Sequence, residues 1–131
     1  MSTYKFSNSS KKKLTECDDA LVQVMTLALT LSKYDFGIGE TLRSIKAQQE
    51  NVASGASLTM ESRHLPNAFG ESEAADIKIY VNGIITWEPK YFRKVAGAVF
   101  KAAFILGIEI EWGGHWESLN DMPHFQLARK G

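Results

Sequence analysis

Apolar and polar positions alternate along the chain with two distinct periods. Leu21, Val24, Met25, Ala28 and Leu31 recur at spacings of three and four, which predicts an amphipathic helix over Asp19–Lys33. Asp18 and Asp19 stand at its start, where the helix dipole favours negative charge. Phe36, Ile38 and Glu40 then alternate with Gly37 and Gly39, the pattern of a short strand leading to Arg43. Ser44 is placed to cap a second helix running to about Ala53, with Ile45, Gln48, Gln49 and Val52 on one face and Gly55 as its stop. Met60–Gly70 reads as a loop and carries His64. Ala75, Ile77, Ile79 and Val81 alternate with Asp76, Lys78 and Tyr80, and Asn82-Gly83 is a strong hairpin signal before Ile84–Trp87 returns. Pro89 suits the first turn of a third helix, with Phe92, Val95, Ala96, Val99, Ala103 and Leu106 as its buried stripe and Gly107 as its stop. Ile108, Ile110 and Trp112 form another alternating strand. His124–Leu127 reads as the last strand, with His124 and Gln126 on one face and Phe125 and Leu127 on the other.

These elements predict a small α+β domain, an antiparallel sheet with helices mainly on one side. Its 131 residues suffice for one core, so residues 1–131 are expected to form a single domain, with residues 1–10 as a loose polar arm. Lys+Arg and Asp+Glu both number 15, and that balance argues against a nucleic-acid partner. The run Lys11-Lys12-Lys13 reads as a solvated approach to the first helix. Cys17 is the only cysteine, so no intramolecular disulfide forms, and its setting among apolar residues predicts simple packing. Met1–Leu14 has no apolar run of signal-peptide length, and Val95–Ile110 is interrupted by Lys101, Gly107 and Glu109. The expectation is a cytoplasmic protein, a monomer, without membrane insertion.

The candidate chemistry lies largely near the C-terminus, in the stretch from Trp112 to Leu127. It opens on Gly113-Gly114 and contains Asp121-x-x-His124. A second histidine, His64, follows Ser62-Arg63, and a second aspartate, Asp76, follows Ala74-Ala75. Two imidazoles and a carboxylate make a plausible catalytic zinc set, with one Asp left over to work on a water. The helical His-Glu-x-x-His signature is absent.

The segments Ser62-Arg63-His64, Ala75-Asp76, Trp112-Gly113-Gly114 and Asp121-Met122-Pro123-His124-Phe125 occur in the order found in a known family. The chain resembles the zinc D-Ala-D-Ala carboxypeptidases and L-Ala-D-Glu endopeptidases, and within them the small lysins of tailed bacteriophages, from about Leu14 to Leu127. The resemblance implies the D-Ala-D-Ala-peptidase (hedgehog-like) fold. It implies one zinc per chain on His64, Asp76 and His124, Asp121 as general base, Arg43 at the developing oxyanion or a substrate carboxylate, and Ser62 as a substrate contact. The implied substrate is the stem peptide of bacterial peptidoglycan, cut at the L-alanyl-D-glutamate bond, by a phage lysin held in the host cytoplasm until release to the wall. No separate wall-binding domain is expected.

Three departures from the family pattern stand out. The gap between His64 and Asp76 is longer, with the extra residues in Pro66–Glu73; Thr41 stands where Gly is usual; and His115 takes the place of an Asp. A surface loop absorbs an insertion at small cost, and this one is a candidate cover for the cleft. His115 is expected to tune the surroundings of the site or the cleft rim, not to ligate metal. The alternatives are a D-Ala-D-Ala carboxypeptidase on the same substrate, a non-catalytic zinc-stabilised binding module, and a glycosidase using carboxylates among Glu111, Glu117 and Asp121.

Overall fold

A computed structural model describes residues 2–57, 62–117 and 120–128. Met60 of the expected loop, and Ser118 and Leu119 of the C-terminal stretch, lie outside the described residues. The elements run α1 (Asn8–Leu14), α2 (Asp19–Leu31), β1 (Asp35–Ile38), α3 (Ile45–Ser54), β2 (Ala74–Val81), β3 (Ile84–Thr86), α4 (Pro89–Leu106), β4 (Ile110–Trp112) and β5 (His124–Leu127).

The helix ends follow local chemistry. Asp18 accepts from Ala20 N at 2.9 Å and Ser44 from Ala47 N at 3.0 Å, so both helices start on side-chain caps, each contributing about 1 kcal/mol. α3 and α4 stop at Gly55 (φ 81°) and Gly107 (φ 71°), left-handed positions that glycine adopts without strain. Asn82 (φ 53°) and Gly83 (φ 77°) make the β2–β3 turn with both central residues left-handed, as a two-residue hairpin requires.

β2 is the central strand of an antiparallel sheet ordered β1-β2-β5-β4. β1 runs along one edge of β2. β5 and β3 share the other, β5 opposite Ala74–Asp76 and β3 opposite Ile79–Val81. Alternation then sorts the two faces. Phe36, Ile38, Ala75, Ile77, Ile79, Trp112 and Phe125 enter the core together with the buried stripes of α2 and α4. α2 packs on α4, and each fully buried Val, Leu or Met there contributes roughly 1.5–3 kcal/mol. Asp76 and His124 alternate with those core residues, so they project from the opposite face.

Three expectations change. Residues 1–10 are not simply a loose arm: α1 begins at Asn8, and Ser10 is buried with its hydroxyl accepting from Ile38 N at 3.0 Å. Ser2 N also donates to Thr30 O at 2.7 Å, tying the segment to α2. On α3 the expected face of Ile45, Gln48, Gln49 and Val52 is buried only at Gln48, and Ile45 is 59% exposed. On α4 Ala102 joins the buried stripe, whereas Leu106, in the last turn before the Gly107 cap, is exposed. Cys17 is buried, and burial first, with the charges of Glu16, Glu71 and Asp18 behind it, pushes its thiol up to about 12. It packs as an inert apolar group.

Candidate metal and catalytic site

The Asp76–His124 pair is set by sheet register. The two residues are direct partners across β2 and β5. Asp76 uses its own backbone toward the other edge, with Gly39 N donating to Asp76 O at 2.7 Å and Asp76 N donating to Glu40 O at 2.8 Å. The β2–β5 ladder bond forms one residue along, from Ile77 N to Pro123 O at 2.9 Å. Asp76 and His124 therefore occupy a non-hydrogen-bonded pair, where facing side chains stand closest.

His64 reaches the same point from a loop. Its segment is held at both ends by backbone bonds, Arg43 N to His64 O at 2.8 Å and Glu73 N to Arg63 O at 3.1 Å. Ser62 Oγ accepts from His64 N at 3.2 Å, a local turn contact. The ring is fixed by the carbonyl of Thr41, 2.7 Å from His64 Nδ1. Ser72, fully buried, places its hydroxyl 2.9 Å from the same carbonyl.

Three potential ligand atoms converge. His64 Nε2 and Asp76 Oδ1 are 3.2 Å apart, His124 Nδ1 and Asp76 Oδ1 are 3.3 Å apart, and the two ring nitrogens are 3.1 Å apart. Thr41 O only accepts, so His64 carries a proton on Nδ1, and the neutral ring presents a lone pair at Nε2. His124 Nε2 lies 2.8 Å from Gln126 Oε1, whose amide nitrogen faces Glu111 at 3.5 Å, so the neutral ring of His124 presents its lone pair at Nδ1. Asp76 Oδ1 is buried without a hydrogen-bond partner among the described residues. Two lone pairs and a carboxylate oxygen facing one another repel unless a positive charge stands between them. This group can hold a metal ion.

The electrostatics agree. Burial opposes ionisation of Asp76, but the facing rings of His124 and His64 outweigh it and hold the carboxyl well below the usual carboxylate range. Burial favours neutral His124, while Asp76 and Gln126 outweigh it and raise its affinity for a proton. Asp121 lies just outside the cluster, Oδ2 4.0 Å from His124 Nδ1. Burial and then the charge of Asp76 raise its pKa, against the opposing effects of His124, His64 and Arg43. A partly buried carboxylate in this position, with its proton affinity raised, is suited to accept and return a proton.

The turn carrying Asp121 is tightly built. His124 N donates to Asp121 O at 3.1 Å, Asp121 N to Gly113 O at 3.0 Å, and Trp112 Nε1 to Met122 O at 2.7 Å. A Cβ on Gly113 would overlap the carbonyl of Asp121, so glycine permits that approach.

Arg43 is largely buried and fully engaged. Its Nε donates to Glu40 Oε2 at 3.1 Å, one terminal nitrogen pairs with Glu40 Oε1, and the other donates to Gln48. Glu40 Oε1 in turn stands 3.9 Å from His64 Nε2. Glu40, Ser72 and the carbonyl of Thr41 were not singled out in the sequence, because backbone acceptors and local turns leave no motif. His115 sits elsewhere, its ring stacked on Phe100 at 5.5 Å and edge-on to Trp112 at 4.9 Å. Trp116, not His115, meets the ring of His124, with centroids 5.0 Å apart. The Pro66–Glu73 insertion is an ordered turn. Asn67 Oδ1 accepts from Phe69 N and Glu71 N, and Ser72 anchors the far end to Glu16 O and Asp18 N.

Residues 1–128 match the family model of phage L-alanyl-D-glutamate peptidases. The chain belongs to this family. The L-alanyl-D-glutamate peptidase of Escherichia phage T5 is 32% identical over 128 residues, covering 97% of this chain and 91% of that protein. That of Listeria phage A118 is 39% identical over 95 residues, covering 72% of this chain and 31% of the longer relative. The crystal structure of the Serratia marcescens L-Ala D-Glu endopeptidase ChiX superposes with a TM-score of 0.85 at 38% identity, covering 96% of this chain and 92% of that one. The peptidase thus shares the α+β architecture expected from its periodicity.

Proposed function

We propose that this peptidase hydrolyses the L-alanyl-D-glutamate bond of peptidoglycan stem peptides with one zinc ion, and that it serves lysis of a bacterial host. The bond is the one its relatives are named for, and the polymer is the one implied by the family resemblance of the sequence. The zinc reading rests on one observation: the unpartnered Asp76 Oδ1 facing two imidazole lone pairs. The three edges of 3.1–3.3 Å also fit the donor set. Donors at tetrahedral zinc distances of roughly 2.0–2.1 Å stand about 3.3 Å from one another.

His64, Asp76 and His124 would hold the ion, which supplies the Lewis acidity that amide hydrolysis needs near neutral pH. Asp121 takes the proton of the attacking water at its carboxylate and returns it to the departing nitrogen. Its position beside His124, and burial that raises its pKa, suit both halves of that transfer. Arg43 is the cation for the oxygen that gains negative charge, or for a substrate carboxylate, and the substrate competes with Glu40 for its fork. Ser62 accepts from His64 N and keeps its own proton to donate to substrate.

Mass spectrometry of digested peptidoglycan, with and without chelator, tests the reading. The expected products carry new amino groups on D-Glu and no new reducing sugar ends, and chelation abolishes them. Release of D-Ala alone would assign the enzyme as a carboxypeptidase. New reducing ends would make it a glycosidase.

A further inference from the structure

The outer face of α4 has a chemistry the peptidase site does not use. The whole chain is neutral by formal charge. α4 nonetheless contains Lys90, Arg93, Lys94 and Lys101 and no Asp or Glu between Pro89 and Leu106. At 3.6 residues per turn, these four cations fall with Phe104 and Ile105 within about 120° of the helix circumference. All six are exposed. Lys90 pairs with the neighbouring Glu88 at 3.6 Å, whereas Arg93, Lys94 and Lys101 have no ion pair among the described residues.

The stripe ends in apolar side chains that the fold leaves in water. Phe104 is 87% exposed and Ile105 57% exposed, while the opposite side of the same helix is buried against the core. A lone exposed Phe needs no explanation, but two adjacent large apolar groups closing a cationic stripe match a specific partner. Their charge complement is an anionic surface. Their apolar complement is hydrocarbon, which an anionic bilayer offers directly beneath its charged headgroups.

We propose that α4 docks the protein onto an anionic phospholipid surface, with Arg93, Lys94 and Lys101 on headgroup phosphates and Phe104 and Ile105 entering the acyl boundary. This is peripheral attachment, without insertion of the helix. The sheet sets the consequence. α4 packs against α2 and β4 and shares one core with Ala75 and Phe125, and the ligand cluster projects from the other face of the sheet. Docked through α4, the molecule turns its site away from the bilayer, toward polymer lying beyond it.

Co-sedimentation of the purified protein with phosphatidylglycerol–phosphatidylethanolamine vesicles, against phosphatidylcholine vesicles, tests this. Binding is expected to the anionic vesicles alone and to fall with added salt. Lys94→Glu with Lys101→Glu should weaken it by at least about tenfold, since each basic residue near such a surface contributes about fivefold. Phe104→Ser with Ile105→Ser should weaken it while leaving the salt dependence. Both pairs are exposed, so both variants should fold and cleave a soluble stem peptide at the wild-type rate. No binding to anionic vesicles at low salt, or binding that both variants retain, overturns the proposal. So does α4-dependent binding to lipid-free sacculi without binding to vesicles, which would assign the face to the wall. Vesicle binding is read without substrate, so its failure leaves the peptidase assignment standing.

Discussion

Asp76 and His124 face each other across one rung of the β2–β5 ladder, Oδ1 and Nδ1 3.3 Å apart, and Asp76 Oδ1 has no hydrogen-bond partner among the described residues. Because the pair is backbone-registered, its spacing is held by the sheet and not by loop conformation. Only His64 comes from outside the sheet, and its ring is clamped by Thr41 O.

Removing any one of the three should empty the site. Asp76→Ala, His64→Ala and His124→Ala are each expected to lower zinc from one ion per chain toward none, and to lower activity in parallel. Elemental analysis of the purified variants checks this. Full zinc occupancy in His124→Ala would refute the ligand assignment.

Asp121 and Glu117 separate metal binding from proton transfer. Asp121 sits 4.0 Å from His124 and is half-buried, whereas Glu117 is exposed. Asp121→Asn should keep zinc and fold but lose about two or more powers of ten in kcat, the scale of a general base. Glu117→Gln should change the rate only modestly. The reverse ranking in steady-state assays would leave the metal site in place and discard the base.

Arg43 tests charge stabilisation. Arg43→Ala should keep zinc and lower kcat by about 10²–10³, as loss of an oxyanion donor does. Arg43→Lys should recover only part, because an ammonium lacks the planar fork that Glu40 and Gln48 now hold. Unchanged kinetics in Arg43→Ala would make it a purely structural residue.

Gly113→Ala should damage the site from a distance. A Cβ there overlaps Asp121 O, so the turn between Asp121 and His124 must shift. A loss of about 1–3 kcal/mol in denaturant unfolding, with reduced zinc affinity, is expected. Wild-type stability and activity would show that the turn yields without strain.

His115 provides the contrasting case. His115→Asp should retain stoichiometric zinc, since the ring packs on Phe100 and Trp112 and is not among the converging ligand atoms. Its cost should be a small fall in melting temperature from the lost stacking. Loss of the metal would place His115 in the ligand set.

Much of the fold was legible because it rests on local rules. The three- and four-residue spacing of Leu21, Val24, Met25 and Ala28 marked α2, and Ser44 and Gly55 bounded α3. Asn82-Gly83 marked the hairpin, and strict alternation put Asp76 and His124 opposite the core-facing Ile77 and Phe125. Periodicity assigns a residue to a face but does not say what that face meets. Ile45, Gln48 and Val52 share a face of α3, yet Ile45 and Val52 remain exposed while Gln48 is buried where it holds Arg43. The polar N-terminus likewise looked loose, and only packing reveals Ser10 buried at the edge of β1.

At the site, residue types and segment order identified His64, Asp76, His124 and Asp121 as candidates through the family they resemble. That two of them share one ladder position, that a third joins them from residues twelve earlier in the chain than Asp76, and that Thr41 O selects its tautomer were decided by tertiary structure. Sequence determines which chemical groups exist and which face of an element each occupies. The meeting of lone pairs from a loop and two non-consecutive strands depends on long-range register and backbone acceptors, and a carbonyl oxygen carries no residue identity by which a sequence could announce it.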